Sequence, residues 1–378
     1  MSQIRVVHSF DEWSTLREVI VGSVAGYELH HLDVSFALFY FENIYAPLRN
    51  RKGAGGSGSQ IVAIPRPIVA EAQEDLEELV TALRDFGATV FRPADLAAQG
   101  QIASPSWTSQ STPALNVRDQ ALILGSTILE TAPHVRGRIF ENDMLKPIFY
   151  RYFNAGSAWL SMPRPALAKG SLDPSYFADS ELDIQVALER DDAQLIPGLG
   201  HEIIFDAAQC IRLGRDVLVN VANANHEMGY RWLRQVFGRN FRFHRIYQAA
   251  DNHIDSVLAP LRPGVMLLRA PGFLQLLPPA MRNWDIIYPP EGDGASFPEY
   301  RGDMLHIASR YIDMNVLSLD ENTVIVNALY PELVRQLERR RFDVIPVRLR
   351  HGRLFGGGFH CVTLDCVRDG GLESYLGK

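Results

Sequence analysis

The stretch DAAQCIRLGRDVLVNV, residues 206–221, reads as one unit: an acidic residue opens an apolar run, a Gly-centred turn follows, and a second apolar run returns. Two apolar runs joined by a tight polar turn predict a β-hairpin. The pattern recurs. Asp119 opens ALILGSTILET, Asp255 opens SVLAPLRPGVMLL, Asn315 opens VLSLDENTVIV, and Arg17 opens EVIVG with a less defined return strand. Self-similar units point to a closed or stacked repeat architecture. Set in a ring, the units would bring their opening residues together, and three carboxylates facing one another are costly without a cation between them.

Working outward, each hairpin leads into a helical pattern and a further strand. After VLVNV comes EMGYRWLRQVFG and then FRFHRI; after TVIVN comes PELVRQLERR, entered by a Pro suited to a first helical turn, and then DVIPVRL. Nearer the N-terminus, EAQEDLEELVTALRDFG after Pro65 has helical spacing and a closing Gly, and ATVFRP returns as a strand. The strand–strand–helix–strand order with uneven spacing predicts an α/β fold, repeated in topology and not in period. No G-x-G-x-x-G or P-loop supports a nucleotide-binding reading. The chain reads as a single domain, 1–378, with RKGAGGSGSQ at 51–60 as a mobile surface loop. The aromatic run DVSFALFYFENIYAP, 33–47, suits a helix or loop lining a cavity, or a homodimer interface.

A chain of 378 residues with 47% apolar content can bury a large core, and a net charge of -7 without a basic block argues against a nucleic-acid partner. RRRF at 339–342 fits a helix terminus. No apolar run is long enough to span a membrane, and MSQIRVVHSF lacks a signal-peptide layout, so a cytoplasmic protein without membrane contact is expected. Three cysteines, Cys210, Cys361 and Cys366, are too few for a disulfide framework or a zinc ribbon.

The stretch LFGGGFHCVTLD, 354–365, carries the strongest chemical signal. Three glycines permit close backbone approach, and a thiol delivered at a strand start suits nucleophilic catalysis, although a buried structural Cys361 fits the same residues. Cys210 and Cys366 sit in apolar strand patterns and read as core filler. In His253-Ile-Asp255, strand alternation would point imidazole and carboxylate the same way, though such a pair also occurs on surfaces. His244 is set aside, as is His360, which alternation places opposite Cys361. Asp206 and Asp119 each precede a hairpin, where an Asp also serves as a cap or Asx-turn. Together with Asp255 they would make a cage for a guanidinium, a planar cation with five donors.

At these residues the chain resembles the amidinotransferases, which move the amidino group of arginine to an amine. GGGFHC followed by TLD, the closing G-x-L-E-S-Y, FDAA, H-I-D, N-x-RD and ETAPHVRGRIFE occur in that family's order, from REVIVG to the C-terminus. The resemblance implies a pentein-type fold, a five-bladed pseudo-symmetric propeller of ββαβ-like modules around a central channel. It implies Cys361 as nucleophile, His253 as general acid and base, Asp206 as the partner orienting His253, and Asp119 and Asp255 as guanidinium ligands, with no cofactor and no metal. Two departures stand out. The family's carboxylate-binding Arg position falls on Gly272 in LLRAPG, leaving Arg269 as the nearest candidate, and the family's serine pair appears as Ala308 and Ser309. YQAADN lacks the glycine-enzyme pattern. The resemblance therefore implies transfer from L-arginine to a larger primary amine, in guanidine toxin or antibiotic biosynthesis. Glycine amidinotransfer, a guanidine hydrolase of the arginine deiminase type and a non-catalytic partner-binding propeller are the competing readings.

Overall fold

The computed structural model describes residues 5–40, 60–95, 100–173, 175, 188, 191–250, 252–290, 297–300, 306–309 and 311–377. The loop expected at 51–60 lies outside them, save that Gln60 begins the strand Gln60–Ala63.

Residues 206–221 form the predicted hairpin. Cys210–Leu213 pairs antiparallel with Asp216–Val221 across Gly214, whose φ of +68° explains the glycine at this turn. Asp216–Val221 in turn pairs in parallel with Arg242–Tyr247. A parallel partner requires a crossover, and the helix Ala224–Phe237 supplies it, burying Tyr230, Leu233 and Phe237 against Val217, Val219 and Phe205. Its N-cap is Asn223, whose side chain accepts the His226 backbone N–H.

The order recurs. Ala121–Leu124, Thr127–Glu130 and Ala158–Ser161 form one sheet around the helix Lys146–Asn154. Leu317–Ser318, Thr323–Asn327 and Asp343–Val347 form another around Pro331–Arg339, which ends in the basic run as expected. In the sheet Leu258–Arg262, Val265–Leu268 and Asp285–Ile287, two proline-led 3₁₀ turns, Pro271–Leu276 and Pro279–Asn283, stand where the other units have a helix.

The remaining unit corrects the sequence reading. EVIVG belongs to the strand Leu16–Val21, but its antiparallel partner is Thr363–Arg368 near the other end of the chain, and its parallel partner Thr89–Phe91 follows the helix Arg66–Asp85. The missing return strand is the C-terminal one, and the segment that opens this hairpin holds Cys361 rather than Arg17. Strands drawn from the two ends of a chain have no turn between them for a local reading to find. Among the described residues, five three-stranded sheets share one strand-pairing order. No helix among the described residues is long and apolar enough to cross a membrane.

A buried ionic network ties these sheets together. Arg212 Nη2 lies 2.7 Å from both Glu12 Oε2 and Asp365 Oδ2, and Arg368 Nε lies 2.5 Å from Asp365 Oδ2. Removing one member of such a pair strands the others in low dielectric. Arg212→Met, which leaves Glu12 and Asp365 without their shared cation, is expected to lose about 3–5 kcal/mol of stability. Urea unfolding checks this, and a loss below about 1 kcal/mol would show that the network adds little.

Candidate active site

The first strand of each unit is preceded by a tight turn, and these turns meet. They comprise Val117–Gln120, Ala207–Gln209, Ile254–Ser256, Ile312–Met314 and residues 359–362. The Arg118 backbone N–H donates to Cys361 O at 3.1 Å, and its Nη2 donates to Cys210 O at 2.7 Å. Asn315 joins two further turns: its Oδ1 accepts the Cys361 N–H at 3.1 Å and its Nδ2 donates to Asp255 O at 3.3 Å. His253, Asp255, Cys361, Phe39, Arg269 and Ser309 all line one cavity of about 90 Å³.

Two local expectations change here. His253 and Asp255 were read on a strand, but His253 caps a 3₁₀ turn that contains Asp255, so curvature of the turn and not strand alternation brings both to the cavity. Cys361 lies in a turn, two residues before the strand Thr363–Arg368. The glycines ahead of it serve two purposes. Gly356 has a φ of +72°, whereas a Cβ on Gly357 would lie 2.1 Å from Asn116 Oδ1 and one on Gly358 2.6 Å from Asn315. The chain must pass between two asparagines to reach Cys361, and only glycine leaves room. Burial pushes the Cys361 thiol well above its ordinary value, and the Asp255 and Asp119 carboxylates push it further.

Three buried carboxylates belong to this cluster, each held by protein cations or imidazoles: Asp255 lines the cavity with Cys361, whereas Asp119 and Asp206 are not in its lining and lie against His253. Asp119 Oδ2 takes Arg138 Nη1 at 2.7 Å, and Arg138 is also paired with Glu141, whose carboxyl burial pushes up to about 7. Asp255 Oδ2 lies 2.8 Å from His360 Nδ1 and 3.6 Å from Cys361 Sγ. Asp206 Oδ2 lies 3.0 Å from His253 Nε2, while its Oδ1 accepts the His134 backbone N–H at 3.3 Å. The difference between them is chemical. Among the described residues, Asp119 Oδ1 and Asp255 Oδ1 are buried without a hydrogen-bond partner, whereas both oxygens of Asp206 are engaged.

The charges follow from these contacts. Burial alone would raise the Asp206 carboxyl, but the imidazoles of His134 and His253 outweigh it and hold the group far below the ordinary carboxylate range. Burial would lower His253, yet Asp119, Asp206 and Asp255 outweigh that and raise it, which favours the imidazolium. Its Nδ1 lies 3.6 Å from the unpartnered Asp119 Oδ1.

His360, set aside on strand alternation, is a correction. It lies in the same turn as Cys361, and its two nitrogens reach carboxylates: Asp255 Oδ2 at 2.8 Å and Glu12 Oε2 at 3.1 Å. A ring between two ionised acceptors has to donate from both nitrogens, which makes it an imidazolium. Burial opposes this, and the two carboxylates overcome it. His360 thereby ties Asp255 to the buried ionic network.

Arg269 lies on the cavity wall, its guanidinium 4.7 Å over the Tyr311 ring and 5.6 Å over Phe273. Ser309 Oγ accepts the Tyr311 N–H at 3.2 Å. From the aromatic run, Val34–Phe39 is a helix and Phe39 and Tyr40 line the cavity, while 41–47 lies outside the described residues. Cys210 and Cys366 are buried in strands, and burial pushes the Cys210 thiol up to about 12. His244 lies away from this cluster, bonded to Asp216 at 2.6 Å. Among the described residues no group of His, Cys, Asp and Glu is arranged to hold a metal ion. Glu12, His134, Arg138, Glu141 and Asn315 escaped the residue-level reading. Only Asn315, as a hairpin opener, and the run containing His134, Arg138 and Glu141 left a signal.

No family model matches the chain. It is 32% identical to inosamine-phosphate amidinotransferase 1 of Streptomyces glaucescens, over 98% of this chain and 99% of that protein. It is 31% identical to the L-arginine:L-lysine amidinotransferase of Pseudomonas savastanoi pv. phaseolicola, over 99% of this chain and 98% of that one. Among solved structures, the inosamine-phosphate amidinotransferase of Streptomyces griseus superposes with a TM-score of 0.80 at 31% identity, covering 98% of this chain and 99% of the other. An amidinotransferase of the saxitoxin biosynthetic pathway from Microseira wollei gives 0.78 at 29% identity, with the same coverage. Identity of this order along nearly the whole length, on a shared α/β fold, means that the chain belongs to the amidinotransferase family and is a transferase of amidino groups.

Proposed function

We propose that this enzyme takes the amidino group of L-arginine onto Cys361 and passes it to a primary amine larger than glycine, in the biosynthesis of a guanidine-bearing natural product. The observation that carries the reading is the pair of unpartnered buried carboxylate oxygens, Asp119 Oδ1 and Asp255 Oδ1, in a site that also holds the Cys361 thiol. Leaving buried acceptors unmatched is costly, and a guanidinium offers the planar fork of N–H donors that would satisfy both.

The steps follow from the charges. The entering cation offsets the two carboxylates that keep the thiol protonated, so the thiol gives its proton to solvent water and a thiolate remains. Sγ forms a bond to the central guanidinium carbon. His253, protonated at rest, gives its proton to the departing nitrogen as that carbon–nitrogen bond breaks, and ornithine leaves an amidino-cysteine. The acceptor amine then attacks the same carbon, loses a proton to His253, and the carbon–sulfur bond breaks to return the thiolate. Asp206 holds His253 by its Nε2 throughout. A cavity of about 90 Å³ suits donor and acceptor entering in turn, and a substrate that fills it displaces water, the competing nucleophile.

Arg269 takes the donor's α-carboxylate in this reading, since among the described residues no carboxylate pairs with it and its stacking on Tyr311 fixes the guanidinium plane. Ser309 adds a hydroxyl on the same wall. The acceptor is assigned by kinship: the relatives named for inosamine phosphate and lysine act on amines larger than glycine. The five like sheets are read as blades of a pentein-type propeller about the site, in one domain spanning 1–378, because their leading turns converge and the two chain ends share a sheet. We read the enzyme as cytoplasmic. The described part of the 33–47 segment does not support a homodimer interface there, since Phe36, Leu38 and Phe39 are buried and Phe39 and Tyr40 line the cavity.

Incubation with arginine alone is expected to release ornithine and add one amidino mass to Cys361, both lost in Cys361→Ala. Steady citrulline formation without an amine would identify a hydrolase instead, and neither adduct nor ornithine would leave a binding module. A second expectation concerns the thiol. Thiolate absorbance, taken as wild type minus Cys361→Ser, should emerge in the free enzyme only above the ordinary thiol range and move to lower pH on adding methylguanidinium. A midpoint insensitive to the cation would contradict activation by substrate.

A further inference from the structure

His134 and His226 lie outside the cavity lining, yet they continue the contacts of Asp206 into the core. His226 sits in the first turn of the helix Ala224–Phe237, fully buried. The Ala222 backbone N–H donates to its Nδ1 at 3.1 Å, so that nitrogen keeps its lone pair and the ring proton is on Nε2. Burial holds the ring well below the ordinary imidazole range, so it is neutral. Its Nε2 faces two atoms. The Asn223 amide nitrogen at 3.3 Å is itself a donor, which leaves His134 Nε2, at 2.7 Å, as the acceptor. A His134 ring that accepts at Nε2 carries its own proton on Nδ1. That atom lies 3.0 Å from Asp206 Oδ1, although off the line of a straight hydrogen bond, and the His134 backbone N–H reaches the same oxygen at 3.3 Å.

We infer that His134 and His226 are positioning residues for proton transfer. The Ala222 peptide fixes the tautomer of His226, His226 fixes that of His134, and His134 stays a neutral donor to Asp206, so that the second Asp206 oxygen and its full charge serve His253. The inference rests on the reading of His253 as the proton carrier. A neutral donor orients the carboxylate without neutralising it. Were His134 free to protonate at Nε2, an imidazolium would compete for Asp206 and weaken its hold on the proton of His253. The groups facing His253 are Asp119 from the turn Val117–Gln120, Asp206 from its own turn, Asp255 from the turn that His253 caps, and the ring of Phe39 at 5.0 Å. Those facing His134 are Asp206, His226 and Phe39, with Arg138 acting on Asp206 from beyond Asp119.

The first test needs no turnover. ¹⁵N NMR of the histidine-labelled resting enzyme at neutral pH is expected to show the Nε2–H tautomer at His226 and the Nδ1–H tautomer at His134. An Nε2–H or doubly protonated His134 would overturn the inference. The second test compares two polar variants in single-turnover ornithine release from arginine, a step that needs protonated His253 and so fails above its pKa. His226→Gln keeps an N–H donor near the Nε2 position, whereas His226→Asn is too short to reach His134. The alkaline limb is expected to shift down by about one pH unit in the Asn variant, with kcat lowered and the arginine KM little changed, and to return toward wild type in the Gln variant. Coincident limbs in two folded variants, verified by melting temperature, would refute the coupling. If the wild type releases no ornithine, the reading of the reaction fails, and the tautomers still decide the chain of contacts.

Discussion

Carboxylates brought together in a buried site repel one another, and the arrangement around Cys361 answers that repulsion acid by acid. Asp119 is matched by Arg138, Asp255 by the His360 imidazolium, and Asp206 by His253 with His134 behind it. The compensation is incomplete in a useful direction. Asp119 and Asp255 each keep one oxygen without a partner. The site thus keeps two buried carboxylate oxygens that no hydrogen bond among the described residues satisfies, close to a thiol that burial holds protonated. In the proposed reaction, selectivity for a guanidinium and activation of sulfur become the same event.

The fold makes this possible by repetition. Each of the five sheets is entered by a tight turn, and those turns deliver Asp119, Asp206, the His253–Asp255 pair, Asn315 and Cys361. A residue at the start of a strand is anchored on one side by the sheet and has a turn's freedom on the other, so it can be aimed with little loss of rigidity. Below the site, Glu12, Arg212, Asp365 and Arg368 continue the alternation of charge into the core. His360 links the two levels by bonding Asp255 on one side and Glu12 on the other.

Much of this is legible from residues 206–221 and their echoes. Four hairpins, the long helices after Pro65, Ala222 and Tyr330, and the convergence of Asp119, Asp206 and Asp255 all follow from apolar periodicity and turn chemistry. What was misread shares one cause. The partner of Leu16–Val21 was sought nearby and lies in Thr363–Arg368. His360 was set aside because alternation was extended past the end of a strand into a turn. Arg138 and Glu141 were seen only as part of a motif, and Glu12 not at all, since nothing local distinguishes a salt-bridged core residue from a surface one.

The sequence by itself determined which segments become strands and helices, where four of the hairpins turn, that several acids stand at hairpin entrances and that a thiol stands near a strand start, because these depend on side-chain period and backbone freedom over a few residues. Tertiary structure alone decided which end of the chain completes the first sheet, which carboxylate oxygens are matched and which are left open, and that His360 is a cation while His226 is neutral. Charge state and hydrogen-bond saturation are set by groups distant in the chain, and they exist only once burial has removed water as the alternative partner.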